Sequence, residues 1–364
     1  MFNLIFSKKD KIFKLITRIY YMKVLKVGIN KKTPVLFHNN DKKILSLLCH
    51  NIRLPTSKIA RVLNLSRQST EYRIKSMEKS HLIAGSRTVI NIKKLGYHSY
   101  HFFLSINTND SEKEFIKRCL SNEYVNTLLT YSGNLNYELS IIAKTPEEAK
   151  SVFEFLTEGL KVGYYFPCLL IENIKASILP GFLPDKIPVL KNIKNDTSFL
   201  KQFELKKKDY DVDFKDKMIL FSLSQDAQIS LGSIGRRVGL TKDSVSYRIK
   251  NLVRGGYILQ FRPVIDYSIL NLSVKSVLIK VNRMDEKEKK RFHHYLKYNN
   301  SVLWATEILG NWDYLLYVIN REQERIYDFV KDIKKSFEDY IRNYEILFAY
   351  QIYKYSFMSS SMVK

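Results

Sequence analysis

The chain has 364 residues, of which 45% are hydrophobic and 26% charged, so two or more globular domains are expected and wholesale disorder is excluded. Lys and Arg number 60 against 36 acidic residues, and the net charge is +24. An excess of this size favours a polyanionic partner, nucleic acid before an anionic membrane surface. A lysine-rich source proteome would produce the same excess, so charge alone assigns no function.

Cysteine usage and hydropathy exclude several classes of protein. Cys49, Cys119 and Cys168 are odd in number and far apart, which argues against a zinc site or disulfide framework and favours a reducing, cytoplasmic location. No apolar run is long enough to span a bilayer, so no membrane partner is expected. Residues 1–40 form a basic extension without a signal-peptide cleavage region. We expect an arm that touches DNA, unless Met22 is the true start; an amphipathic surface helix is the alternative.

The chain contains two copies of one sequence pattern. Residues 216–250 align without a gap on residues 41–75, and both segments end in YRIK. The likeness continues downstream, where 88–97 matches 263–272 and 132–142 matches 309–319. Prolines without periodicity and a lysine-rich run separate the copies, which predicts a linker over 178–213.

Each copy begins with a pattern typical of two short helices. Asp41 stands where an N-cap is wanted, before apolar residues at helical spacing, and Thr56 or Ser57 can cap the second helix. That helix ends at Asn64, whose counterpart is Gly239. Both residue types tolerate the left-handed backbone that a tight turn between helices needs.

A third helix follows the turn in each copy. Ser66 and Thr241 are its predicted N-caps, and the two helices are predicted over 66–79 and 241–254. Three short helices with a tight turn before the third form a helix-turn-helix, whose third helix enters the major groove of DNA. Because the pattern occurs twice in register, coincidence is improbable.

Downstream of each helix-turn-helix the pattern becomes that of a mixed sheet. Strand and helix signals follow in the order β-α-β-β-α-β, with a hairpin about Gly133 and a helix beginning at Pro146. Phe102, Leu104 and Ile106 are expected in the core. The predicted fold class is α+β, two copies of a winged-helix-like helix-turn-helix domain followed by a ferredoxin-like domain. The predicted boundaries are a basic extension 1–40, helix-turn-helix domains 41–90 and 214–266, ferredoxin-like effector or assembly domains 91–177 and 267–358, and the linker 178–213.

These residues resemble the Lrp/AsnC family of feast/famine transcription regulators. The likeness rests on D-x-x-I-L at 41–45, I-A-R-x-L at 59–63, L-S-x-x-S at 65–69, Y-R-I-K-x-M-E at 72–78 and V-I-N at 89–91, and in the second copy on L-T-K-D-S-V-S-Y-R-I-K at 240–250 and G-N-W-D-Y at 310–314. The resemblance implies a DNA-binding transcription regulator that is not an enzyme and needs no cofactor. Since family members usually pair through their sheets, two fused copies imply an intramolecular pseudo-dimer, with homo-oligomers also open.

The first turns of each third helix are expected to face the bases. The predicted DNA-binding residues are Ser66, Arg67, Gln68, Ser69, Tyr72, Arg73 and Lys75 in copy one, and Thr241, Lys242, Asp243, Ser244, Tyr247, Arg248 and Lys250 in copy two. Arginine prefers guanine and glutamine adenine, whereas the arginines and lysines of YRIK are expected to neutralise phosphates. Asp243 suits cytosine or the helix dipole. Both tyrosines have packing on neighbouring helices as the alternative.

The resemblance also implies a small-molecule effector site, for ligands such as amino acids, in the second copy. Its tentative residues are Gly310, Asn311, Asp313 and Tyr314, because an Asp at this hairpin can hold a ligand ammonium. Copy one has Asn136 in place of the carboxylate. The alternative is that Gly310 and Asp313 only shape a turn.

Two other functions stay open. Sirohaem decarboxylases are similar in layout, but the second and third strands of both ferredoxin-like units lack the His and Arg that such an enzyme uses there. An assembly protein with silent helix-turn-helix units is the other alternative. Neither a catalytic site nor a metal site is predicted.

Overall fold

The computed structural model describes residues 25–26, 37–179, 181, 210–321 and 326–363. Most of the predicted basic extension and of the predicted linker therefore lies outside the described residues. The short strand β1 (Leu25–Lys26) lies in the extension. The first copy contains α1 (Asn39–His50), α2 (Thr56–Leu63), α3 (Arg67–Lys79), β2 (Ile83–Ile90), β3 (His98–Ile106), α4 (Asn109–Ser121), β4 (Val125–Ser132), β5 (Tyr137–Ala143), α5 (Pro146–Thr157) and β6 (Val162–Ala176).

The second copy repeats this order. Its elements are α6 (Phe214–Gln225), α7 (Leu231–Val238), α8 (Lys242–Arg254), β7 (Ile258–Ile265), β8 (Leu272–Val281), α9 (Glu286–Tyr298), β9 (Val302–Gly310), β10 (Tyr314–Arg321), α10 (Ile326–Ser336) and β11 (Ile341–Tyr355). The predicted α+β class, with a three-helix unit before a β-α-β-β-α-β unit in each copy, is confirmed. We call α1–α3 with β2 reader one, and α6–α8 with β7 reader two.

The strands of the two ferredoxin-like units close into one sheet. Its order is β4-β5-β3-β6-β9-β10-β8-β11, and β11 also pairs with β4, so the ring is complete. All of its strand pairs are antiparallel. The last strand of each copy pairs with the other copy, β6 with β9 and β11 with β4. The two halves therefore complete each other's sheet, as a pseudo-dimer does.

Alternation along the strands divides the apolar residues into an outer and an inner layer. Phe102, Leu104 and Ile106 point outward into a core under α4 and α5, which confirms them as core residues. A matching core lies under α9 and α10. Phe103, Phe166 and Leu315 point inward and join the two copies in a third core.

Contacts beyond the sheet are reciprocal as well. The Nζ of Lys175, on β6, donates to the carbonyl of Asn299 at 2.7 Å, where α9 ends. The Nζ of Lys354, on β11, donates to the carbonyl of Asn122 at 2.9 Å, where α4 ends. Because the last turn of a helix has unpaired carbonyls at its negative end, each lysine stabilises a helix of the opposite half.

The two readers are joined by a ribbon of their own. Strands β2 and β7 pair antiparallel, and Arg87 stands opposite Arg262. The Ile52 amide donates to the Phe261 carbonyl at 3.0 Å, and Nη1 of Arg53 donates to the Ala227 carbonyl at 2.6 Å. These bonds hold the readers against each other. Within the described part of the chain, no helix is long and apolar enough to cross a membrane.

Candidate nucleic-acid interface

A left-handed residue separates the second and third helices in both readers. Asn64 has φ 53° and ψ 46°, and Gly239 has φ 65° and ψ 48°. The amide after the turn returns to the second helix, with Leu65 donating to the Ala60 carbonyl at 2.9 Å and Leu240 donating to the Gly235 carbonyl at 3.0 Å. The predicted tight turn is confirmed in both copies.

The third helices begin on the predicted hydroxyl caps. The Ser66 side chain accepts from the Ser69 amide at 3.0 Å, and the Thr241 side chain accepts from the Ser244 amide at 3.2 Å. Each cap satisfies one amide that the first helical turn leaves unpaired and fixes where the helix begins. The exposed start of the helix also presents further amides, which can bind a phosphate.

One face of each third helix is open to solvent. Its exposed residues are Ser66, Arg67, Gln68, Tyr72 and Lys75 in reader one, and Thr241, Lys242, Asp243, Tyr247 and Lys250 in reader two. Tyr72 and Tyr247 are 74% and 66% exposed, so packing on neighbouring helices does not explain them. Ser69 and Ser244 are half-buried beside their caps. The structure thus places most of the predicted DNA-binding residues on one surface in each reader.

The charges on that face differ between the readers. In reader one, Lys75 pairs with Glu71 across one helical turn at 3.0 Å, and both side chains are exposed. The hydrogen bond from Lys75 lowers the pKa of Glu71. In reader two the residue one turn before Lys250 is Ser246, which carries no charge. Reader two instead has a carboxylate, Asp243, in its first turn.

The YRIK arginines have carboxylate partners, which sequence reasoning missed. Nη1 of Arg73 lies 2.8 Å from Oδ1 of Asp41, and Nη1 of Arg248 lies 3.0 Å from Oδ1 of Asp216. Asp41 is not the N-cap that the sequence predicted, since His38 holds that place and Asp41 lies in the first turn. An acidic residue recurring at the start of both first helices, with an arginine 32 residues later, was the available signal.

The side chains of the predicted effector site make contacts with other residues of the chain. Oδ2 of Asp313 accepts from the Val281 amide at 2.8 Å, and its Oδ1 lies 3.1 Å from Nζ of Lys280. Asn311 donates to the Tyr164 hydroxyl at 3.1 Å, and the Tyr314 ring is buried against Phe292.

The position-matched residue of copy one makes the same backbone contact. Oδ1 of Asn136 accepts from the Ile106 amide at 2.9 Å, and its Nδ2 donates to the carbonyl of Ile106 at 2.9 Å. Ile106 is the counterpart of the second copy's Val281. In both copies the side chain at this position accepts a hydrogen bond from the last backbone amide of a strand, although it is an amide in one copy and a carboxylate in the other. This shared contact favours the turn interpretation of Asp313.

Gly310 has a packing reason of its own. It stands opposite Cys168 where β6 crosses to β9, and a Cβ there would lie 2.6 Å from the Pro167 carbonyl oxygen. The close approach of the two halves accounts for this glycine.

A buried polar cluster inside the closed sheet was not predicted. Glu138 is fully buried, and its Oε1 lies 2.7 Å from Nδ1 of His101 and 2.7 Å from the Tyr317 hydroxyl. Tyr131 donates to the other oxygen of Glu138 and contacts Ser276 at 2.7 Å. Both tyrosines have a pKa well above the usual value, first because of burial and second because of Glu138. The cluster links the halves through hydrogen bonds.

Two such readers, joined by a ribbon and followed by paired ferredoxin-like units, define a class: a helix-turn-helix DNA-binding protein with both halves in one chain. The winged helix-turn-helix DNA-binding family matches residues 37–84 and 214–258. Over 109 residues the chain is 35% identical to a proline dehydrogenase transcriptional activator of Rhizobium radiobacter, covering 30% of this chain and 70% of that relative. It is 31% identical over 114 residues to the regulatory protein AsnC of Haemophilus influenzae, covering 31% and 75%. The chain belongs to the Lrp/AsnC family of DNA-binding transcription regulators.

One solved structure is similar along most of the chain. The siroheme decarboxylase NirDL covers 88% of this chain and 94% of its own, with a TM-score of 0.57 and 12% identity. At that identity the likeness shows a shared fold alone.

Proposed function

We propose that the chain binds double-stranded DNA sequence-specifically, with α3 and α8 in the major groove and one half-site for each helix. The observation that carries this is the exposed face that recurs in register at the start of both helices, with an aromatic ring and basic residues that no core packing requires. A net charge of +24 adds a favourable term at any DNA sequence.

The exposed residues divide by chemistry. Arg67 and Gln68 carry the two side chains that best form bidentate pairs with guanine and adenine, so we assign them to bases. In reader two, Lys242 suits guanine and Asp243 suits cytosine, which makes the two half-sites unequal. The capping residues Ser66 and Thr241, the half-buried Ser69 and Ser244, the rings of Tyr72 and Tyr247, and the ammonium groups of Lys75 and Lys250 are assigned to the backbone and groove walls.

The domain division at 41–90, 91–177, 214–266 and 267–358 is part of the same proposal. The ferredoxin-like units would hold the readers at a set spacing, and a single chain would supply the pair that two subunits otherwise provide. Such a protein would act in the cytoplasm and would not be an enzyme.

Binding of the purified chain to sheared genomic fragments, measured by fluorescence anisotropy at several salt concentrations, tests the proposal. We expect a subset of fragments to bind at least about a thousandfold more tightly than the bulk, as specific DNA binders do. Equal affinity for all fragments would mean that the protein binds DNA through charge attraction alone. No binding would favour the assembly protein with silent readers.

Control by a small effector is a separate part of the proposal. Both oxygens of Asp313 already have partners, so a ligand ammonium would have to replace Lys280. A thermal-shift screen of amino acids on the wild type and Asp313→Ala decides the point. A shift that the variant abolishes would support an effector at Gly310, Asn311, Asp313 and Tyr314; no shift with any amino acid would favour the turn.

The enzyme alternative has a direct test too. The decarboxylase interpretation needs His and Arg on strands β4, β5, β9 and β10. These strands contain no His, and their single Arg is Arg321, the last residue of β10. We expect no visible absorbance in the purified protein and no turnover of tetrapyrroles. Turnover would overturn the regulator proposal.

A further inference from the structure

We propose that Arg73 and Arg248 are positioning residues, which hold each recognition helix on the first helix of its own reader, and that they do not contact phosphate. This inference rests on the proposed function, and it replaces the role that sequence reasoning gave the two arginines.

The partner carboxylates, Asp41 and Asp216, are also held by contacts at the start of their own helices. Asp41 and Asp216 are 7% and 0% exposed. Oδ2 of Asp41 accepts from the His38 amide at 2.9 Å, and Oδ2 of Asp216 accepts from the Asp213 amide at 3.2 Å. Each carboxylate thus closes the first turn of its own helix and leaves Oδ1 toward the third helix. A buried carboxylate needs a compensating charge, because burial without one is costly.

The arginines lie on the inward side of the recognition helices. Arg73 is three residues after Thr70 and four before Met77, and those two are 0% and 4% exposed. Residues at these spacings share one face of a helix. In reader two, Val245 and Leu252 flank Arg248 at the same spacings, and both are fully buried. The arginine side chains are only 27% and 24% exposed, against 74% for Tyr72 one residue earlier.

The second reader strengthens the same contact. Nη1 of Arg248 lies 2.9 Å from Oδ2 of Asp213 as well as 3.0 Å from Asp216. Burial acts to lower the pKa of Arg248, but its bonds to Asp216 and Asp213 outweigh burial and raise it above the ordinary value. A guanidinium that turned to a phosphate would leave these carboxylates uncompensated.

The contact matters because it sets the angle of the recognition helix. Of the 13 residues of helix α3, only Thr70 and Met77 are buried, and the Arg73–Asp41 pair adds a directional contact to the rest of reader one. A small rotation of α3 would move Arg67 and Gln68 away from the base edges, while it would hardly change the attraction of the phosphates. Positioning therefore affects specific binding and leaves nonspecific binding alone.

The variant Asp41→Asn distinguishes a positioning role of Arg73 from a phosphate-binding role, because the two roles predict different changes in DNA affinity. The amide oxygen of Asn still accepts from His38, so the helix start is kept while the ion pair is broken. If Arg73 positions α3, the variant binds the site recovered by in vitro selection about tenfold more weakly, with the salt slope and the affinity for a random-sequence duplex unchanged. If Arg73 binds phosphate, releasing it leaves both affinities equal or higher and steepens the slope, which would overturn the proposal.

Two further variants, the double variant and hydrogen exchange complete the test. Arg73→Gln should weaken selected-site binding by the same factor, and the double variant should add nothing more, since both changes break one pair. Lys250→Gln, which also removes one charge, is the control that should flatten the salt slope by about 0.9. Hydrogen exchange of the α3 amides, measured without DNA, should be faster in Asp41→Asn. The positioning role would be contradicted if exchange of the α3 amides were unchanged in Asp41→Asn and Arg73→Gln flattened the salt slope. If the wild type bound no DNA, the proposed function would be wrong, but the exchange measurement would still test whether the Arg73–Asp41 pair holds α3.

Discussion

Reader one and reader two hold their third helices by the same contacts but present different side chains from them. The left-handed turn at Asn64 recurs at Gly239, and the Arg73–Asp41 pair recurs as Arg248–Asp216. The exposed residues Arg67, Gln68 and Glu71, in contrast, become Lys242, Asp243 and Ser246. The comparison teaches that the exposed side chains of the third helix can change while the contacts that hold the helix stay the same.

The largest effect is expected where the two exposed faces differ most. Replacing Arg67 and Gln68 together by Ala should weaken specific binding by about 1–3 kcal/mol for each bidentate pair removed, because the bases would have no hydrogen-bond partners there. Selection from a random duplex pool should then return a motif relaxed in one half-site only. The matched variant, with Lys242 and Asp243 replaced by Ala, should relax the other half-site. A motif identical to the wild type's in both cases would rule these residues out as readers.

The crossing of the second and third helices distinguishes the readers in stability. A Cβ on Gly235 would lie 2.4 Å from the Leu240 carbonyl oxygen, whereas reader one already has Ala60 at this position, buried. Gly235→Ala should destabilise the chain by about 1–3 kcal/mol through overpacking. The control Ala60→Gly should cost only about 1 kcal/mol, the ordinary penalty of a helical glycine. Equal decreases in stability on urea denaturation would show that the two crossings do not differ.

The second residue after each third helix offers a smaller contrast. His81 has φ 64° and its counterpart Gly256 has φ 71°, so both backbones are left-handed, but only His81 has a Cβ to oppose it. His81→Gly should raise the free energy of unfolding by roughly 1 kcal/mol, and Gly256→Ala should lower it by a similar amount. If His81→Gly is destabilising in thermal unfolding, the side chain of His81 makes a contact that outweighs the backbone strain.

The smallest expected effect concerns the two lysines on the exposed faces. Lys250→Gln should flatten the slope of log affinity against log salt by about 0.9, because one phosphate is no longer neutralised. Lys75→Gln should flatten it less, since Glu71 already shares the charge of Lys75 at 3.0 Å. Combining Lys75→Gln with Glu71→Gln should restore nearly the full wild-type slope. Identical slopes for the two lysine variants would show that the Lys75–Glu71 ion pair breaks when DNA binds.

Much of the fold could be predicted from sequence because its signals are local and occur twice. The turn at Asn64, the caps at Ser66 and Thr241 and the helix start at Pro146 depend on residues within a few positions. The repeat then indicates that the same order of elements is assembled twice.

What sequence reasoning missed joins residues that are far apart in the chain. Asp41 and Arg73 are 32 positions apart, so no local pattern indicates their pairing, and a capping role for Asp41 is the simpler expectation from its position before an apolar helix. Glu138 and Tyr317 are 179 residues apart, and only the closed sheet brings them together. Strand alternation could have placed Glu138 on the inner face, but the partners on that face depend on how β6 and β11 cross between the halves.

The central claim is that one chain supplies two unequal readers to one DNA site. Selection of random duplexes by the purified full chain, followed by sequencing, tests it most directly. We predict a motif of two different half-sites, centred about 10–10.5 base pairs or a multiple of that apart, as two helices on one face of DNA require. Two identical half-sites, or no enrichment over the starting pool, would contradict it.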